Sequence, residues 1–228
     1  MAWIGRITTA VLAVLLVGLI GFNVFKDQIA WTIFHRVINK QAGVDRSAAL
    51  PDGLHVYLCG TGSPMADASR AGPCIGILAG DQAFVVDVGS GSVRNLGTMG
   101  FPFDKLETVY LTHLHSDHID GLGELLLMSW IGGQRAERTP IVGPVGTAEV
   151  VAGFNAAYRL DSTYRIAHHG PEVANPGGYG GLAQEIEVPM GLPGTRVLIQ
   201  DKDLTITAIR VDHTPVEPAF GYRIDYKD

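Results

Sequence analysis

Thr112-His113-Leu114-His115-Ser116-Asp117-His118 places four potential metal ligands within six consecutive positions. Neutral imidazoles and a carboxylate are the donors that a borderline-soft divalent ion such as zinc accepts. The segment follows Thr108–Thr112, a short β-branched and aromatic run that reads as a strand. It precedes Leu122–Trp130, which is apolar enough for a largely buried helix. A turn at the exit of a strand lets alternate side chains diverge toward two ions rather than one. A solvated polar loop or a pH-sensing cluster is the competing reading, but chance rarely sets such a ligand density between two apolar elements.

Upstream of this segment, Leu54–Cys59 alternates as a strand does and is stopped by the tight turn Gly60-Thr61-Gly62-Ser63-Pro64. Cys74–Leu78 and Ala83–Val88 form two more strands joined by a hairpin loop, and Val93–Met99 has helical spacing. Downstream come a strand at Pro140–Val142, a helix at Thr147–Tyr158, and a Gly- and Pro-rich surface loop over Ala167–Gly194. Strands at Arg196–Gln200, Leu204–Val211 and Ala219–Ile224 close the chain. Alternating strands and helices predict an α/β domain over residues 54–228.

Thr112 to Gly121 resembles the HxHxDH signature of the metallo-β-lactamase superfamily. The Gly60–Pro64 turn, and Val211-Asp212-His213 ahead of Gly221-Tyr222-Arg223, resemble its ribonuclease Z and arylsulfatase-like branch. The resemblance implies an αβ/βα sandwich holding two zinc ions. His113, His115 and His213 would bind one ion, and Asp117 and His118 the other. A hydroxide activated by the metals would attack the substrate while zinc neutralises the developing oxyanion, with Asp117 orienting the nucleophile or taking its proton. Asp87, before Gly89, either orients a histidine ligand from behind or caps its own turn. His168 and His169 read as bystanders near a substrate mouth, and His35 and His55 as structural or solvated. The family pattern also has a bridging aspartate and a final histidine beyond the Gly-Tyr-Arg strand. Asp225 and Asp228 sit too close to Arg223 to match the former, so the C-terminal half is expected to be incomplete, the last strand exposing an edge and an apolar face.

The N-terminus differs from the rest. No charged residue lies between Arg6 and Lys26, and Ile7–Phe25 is 19 residues long, about 28 Å as a helix and close to the thickness of a bilayer core. Residues 1–26 therefore read as a single membrane span, with the catalytic domain on the outer face. Residues 27–53 read as a juxtamembrane helix, with apolar positions at Ile29, Ile33, Phe34 and Val37, followed by a linker. The formal charge of −6 gives no overall pull toward nucleic acid. Cys59 and Cys74, the two cysteines, read as separate buried thiols, a pair that permits a bridge without implying one. These features together predict a membrane-anchored, zinc-dependent hydrolase of small-molecule sulfate, phosphodiester or carboxylic esters, with nucleic acid disfavoured as a partner. The alternatives are a ribonuclease Z-like endonuclease maturing transfer RNA and a truncated, non-catalytic metal-binding module. Oligomeric state leaves no mark in the sequence.

Overall fold

Gln82–Val86 shows how the domain is layered. Ala83 and Val85 are buried on one face of the strand among leucines from helices, while Phe84 and Val86 turn the other way, toward a second sheet. Period-two alternation with both faces apolar is what a strand between two layers requires. A computed structural model describes residues 2–41, 46–65, 67–191 and 194–227 of the chain. Asp228 and the side chain of His35 lie outside the described residues, as does part of the expected linker.

The chain divides into two compact units, Met1–Asp45 and Arg46–Asp228. In the first, the expected span and juxtamembrane helix are one continuous helix, α1 (Ala2–Gln41). Lys26 and Asp27 do not break it, because charged residues are good or tolerable helix formers. Within α1, Val14–Ile33 is long and apolar enough to cross a membrane by length and composition.

In the second unit, six strands form one sheet in the order β1 (Leu54–Gly60), β2 (Cys74–Ala79), β3 (Gln82–Val86), β4 (Leu106–Tyr110), β5 (Thr139–Gly143) and β6 (Gly181–Glu185). The first three run antiparallel, and β3 to β6 run parallel. Parallel neighbours need crossovers. The helices α2 (Ser92–Met99), α4 (Leu122–Leu127) and α5 (Thr147–Ala157) supply them and bury Leu96, Leu122, Leu125 and Val151 against one face. Three antiparallel strands, β7 (Thr195–Gln200), β8 (Leu204–Val211) and β9 (Ala219–Tyr226), form the second sheet. Leu204, Ile206, Ala208 and Phe220 pack there with Ile77, Phe84, Tyr110 and Val142 of the first sheet. The result is the expected α/β sandwich.

Several details differ from expectation. The supposed surface loop at 167–194 contains the end of a helix, α6 (Arg159–His169), and the whole of β6. The last strand, β9, is an edge of its sheet as expected, but within this unit an exposed apolar face lies on β1. Leu54, Val56 and Leu58 are 43%, 59% and 60% exposed although they pair across to Ala79, Ile77 and Ile75 on the face that meets the second sheet. Cys59 and Cys74 are joined as a disulfide. Pairing of β1 with β2 brings their backbones together at a register shift between Leu58 and Gly60, which a count of cysteines could not reveal.

Candidate metal centre

The ligand loop starts where β4 leaves its sheet, and both sheets grip that point. Leu111 N donates to the Val142 carbonyl of β5, and Phe220 N of β9 donates to the Thr112 carbonyl. Tyr222 OH, also from β9, donates to the Leu111 carbonyl at 2.8 Å. His113 then turns inward and is buried. His115 stands at the N-terminal boundary of a single helical turn, α3 (Ser116–Ile119), that carries Asp117 and His118. His213 arrives from the β8–β9 connection, where the Asp212 carboxylate accepts hydrogen bonds from Thr214 N and Oγ1 and shapes the turn.

These segments bring His113, His115 and His213 together, with one ligand atom from each lying within 4.8 Å of the others. His113 Nε2 and His115 Nδ1 are 3.0 Å apart. Two nitrogens bound to one tetrahedral zinc at ~2.0 Å would be ~3.3 Å apart, which is close to the spacing of this pair. The protonation state fits as well. Burial, and then the neighbouring His118 and His213, push the His113 imidazolium down to about 4, so its ring is neutral at neutral pH, the form a metal requires.

Asp87 stands behind this cluster. It is buried and adopts φ of 57°, a left-handed conformation in which a non-glycine residue invites an explanation. The explanation is in its contacts. Oδ1 accepts from Thr112 N at 2.8 Å, and Oδ2 accepts from Thr112 Oγ1 at 2.8 Å and pairs with His118 Nδ1 at 2.7 Å. Because the Thr112 hydroxyl spends its one proton on Asp87, it acts as acceptor toward His113 Nδ1, 3.0 Å away. One carboxylate thereby fixes His118 directly and His113 through a hydroxyl, each with Nδ1 protonated and Nε2 free. Of the two readings left open for Asp87, the structure supports the orienting one. Burial alone would lower the His118 pKa. The hydrogen bond to Asp87 and the charges of Asp87 and Asp117 outweigh it and hold the pKa above its ordinary value.

The second expected pair lies beside the first group. His118 Nε2 looks toward Asp117 Oδ2 at 3.7 Å, and the His118 ring lies 4.1 Å from that of His113. His168 and His169 form an exposed ring pair at the end of α6, apart from this cluster. The His55 ring meets the Pro51 carbonyl at 2.7 Å, a structural contact. Backbone packing under the loop is close: a Cβ on Gly89 would lie 2.4 Å from the Asp117 carbonyl oxygen and 2.4 Å from Gly72 C. Only glycine fits there.

Residues 54–142 match the family model described as Anti-Pycsar protein Apyc1. The chain is 40% identical over 177 residues to ribonuclease Z of Mycobacterium avium (strain 104), covering 76% of this chain and 59% of that protein. It is 42% identical over 175 residues to ribonuclease Z of Mycobacterium bovis (strain BCG / Pasteur 1173P2), covering 75% and 59%. The chain thus spans 59% of the length of these relatives. Among solved structures it resembles the short form of human tRNase Z, with a TM-score of 0.57, 20% identity, and 75% of this chain and 64% of that one covered. It also resembles the metallo-β-lactamase fold protein YhfI from Bacillus subtilis, with a TM-score of 0.52, 22% identity, and 76% and 59% covered.

These relatives correct two expectations. The membrane-anchored hydrolase of small-molecule esters gives way to the ribonuclease Z alternative, the branch of the resemblance that these relatives name. One metal core serves sulfur, phosphorus and carbon esters alike, so the ligand motif could not choose among them, and an apolar N-terminal helix carries no information about substrate. Nucleic acid is likewise no longer disfavoured as a partner, because net charge is a whole-chain count and is silent about any one surface.

Proposed function

We propose, from the premise that this chain belongs to the metallo-β-lactamase-fold superfamily, that it is a metal-dependent hydrolase of RNA phosphodiester bonds, of the ribonuclease Z kind, acting on transfer RNA precursors. The observation that carries this reading is the convergence of His113, His115 and His213 beside Asp117 and His118 in a chain 40% identical to a ribonuclease Z.

His113, His115 and His213 hold one zinc ion in this reading, and Asp117 and His118 contribute to a second. Bound there, zinc supplies Lewis acidity and positive charge at the phosphate. The protein's own part is positional. Asp87 and Thr112 fix the tautomers of His113 and His118, so that Nε2 of each is the nitrogen left for an ion. Asp117, held near His118 Nε2, is the carboxylate available to take the proton of the attacking water.

The test is cleavage of a precursor transfer RNA with a 3′ extension by the zinc-loaded protein. Endonucleolytic removal of the extension, abolished by His113→Ala and by a chelator, is the expected result. A zinc-loaded protein that leaves the precursor intact overturns the reading.

A further inference from the structure

An open groove of about 420 Å³ runs beside the ligand loop. Leu114 and Ile119 line it, and they are the chain neighbours of His113, His115 and His118, so groove and ligand loop share one segment. From α5 come Val150 and Phe154, both half-buried against the helix-side core. Gly153 also lines the groove and is exposed, and a Cβ added to it would meet nothing within 4 Å. Glu149 is the one charged residue among the described residues that line the groove.

An aliphatic and aromatic cleft with a carboxylate, an acceptor without donors, repels a phosphate. It suits a flat, neutral group that offers N–H donors. Single-stranded RNA presents such groups when its bases are splayed from the stack onto apolar and aromatic side chains, and carboxylates accept from exocyclic amines of bases. Resting on the ribonuclease reading above, we propose that this groove seats an unpaired nucleobase bearing an exocyclic amine, from a nucleotide adjoining the cleaved phosphate. The base lies against Leu114 and Phe154, and its amine donates to Glu149. Glu149 and Phe154 then determine specificity, separate from the metal ligands.

Gly153→Leu tests the seat. It fills the groove from open space, replaces glycine with a better helix former, and touches no ligand candidate. The substrate is a precursor transfer RNA carrying 2-aminopurine, placed in turn on either side of the mapped cleavage point, and compared with the same RNA abasic at that nucleotide. At one of the two positions, wild-type protein is expected to lose about tenfold or more in kcat/KM on the abasic RNA and to quench 2-aminopurine fluorescence on mixing. Gly153→Leu should show the same loss on the base-bearing RNA, no further loss on the abasic one, and no quenching. Equal cleavage of base-bearing and abasic RNA by wild-type protein at both positions, or a Gly153→Leu variant that discriminates as wild type does, overturns the seat and leaves the nuclease reading standing. Zinc-loaded wild-type protein that cuts neither RNA overturns the nuclease reading and the seat with it.

Discussion

Thr112 contributes no ligand, yet the tautomer of His113 depends on its hydroxyl, which links the ring to Asp87. Removing that oxygen with Thr112→Val should weaken zinc binding about 10–100-fold in competition with a chromophoric chelator, and Thr112→Ser should restore it. Asp87→Asn should fall in the same range. Asn tolerates positive φ, so thermal stability should change far less than metal affinity, and a large parallel fall in both would mean that Asp87 serves mainly to hold the fold. The candidate ligands of this loop stand out in the sequence because four of them sit in six positions. His213 was legible only through its setting before a Gly-Tyr-Arg strand. Asp87 was left between two roles, since an aspartate ahead of a glycine turn looks the same whether its carboxylate faces its own backbone or a histidine 31 positions away.

The turn after β3 and the turn before α5 each rest on one identifiable contact. Gly89→Ala would drive a methyl group into the Asp117 carbonyl and Gly72. The expected cost is about 1–3 kcal/mol, read as a lower melting temperature together with weakened metal binding. Glu185, at the end of β6, accepts hydrogen bonds from Gly146 N and Ala148 N at 2.9 and 3.0 Å, and so caps α5 from a different strand. Glu185→Ala should cost about 1 kcal/mol in urea denaturation while zinc stoichiometry stays the same. β6 itself escaped the sequence reading for a physical reason. Gly181-Leu182-Ala183-Gln184-Glu185 has no β-branched or aromatic residue and sits in a glycine-rich stretch, and only pairing with β5 makes it a strand. β8, with its β-branched run, was legible to the residue.

Across the whole domain, the disulfide and the ligand set tie distant parts of the chain together in different ways. The Cys59–Cys74 bridge closes a loop with a sequence separation of 15, and a cross-link of that span stabilises by about 3 kcal/mol through the unfolded chain. Cys59→Ser, or wild-type protein in reductant, should lose stability of that order in equilibrium unfolding. No change would show that the thiols are unpaired in solution. The ligands tie the two sheets, since His113 and His115 follow β4 while His213 follows β8, 100 positions after His113. This spacing sets an order of events on the ribosome. The first two histidines leave the exit tunnel while the second sheet is still unmade, and a nascent chain at that stage offers an ion two nitrogens where the finished site offers three. An ion held by all three histidines would therefore find its third donor only when β8 has been synthesised and has folded back, so that such a site would mature in one late step.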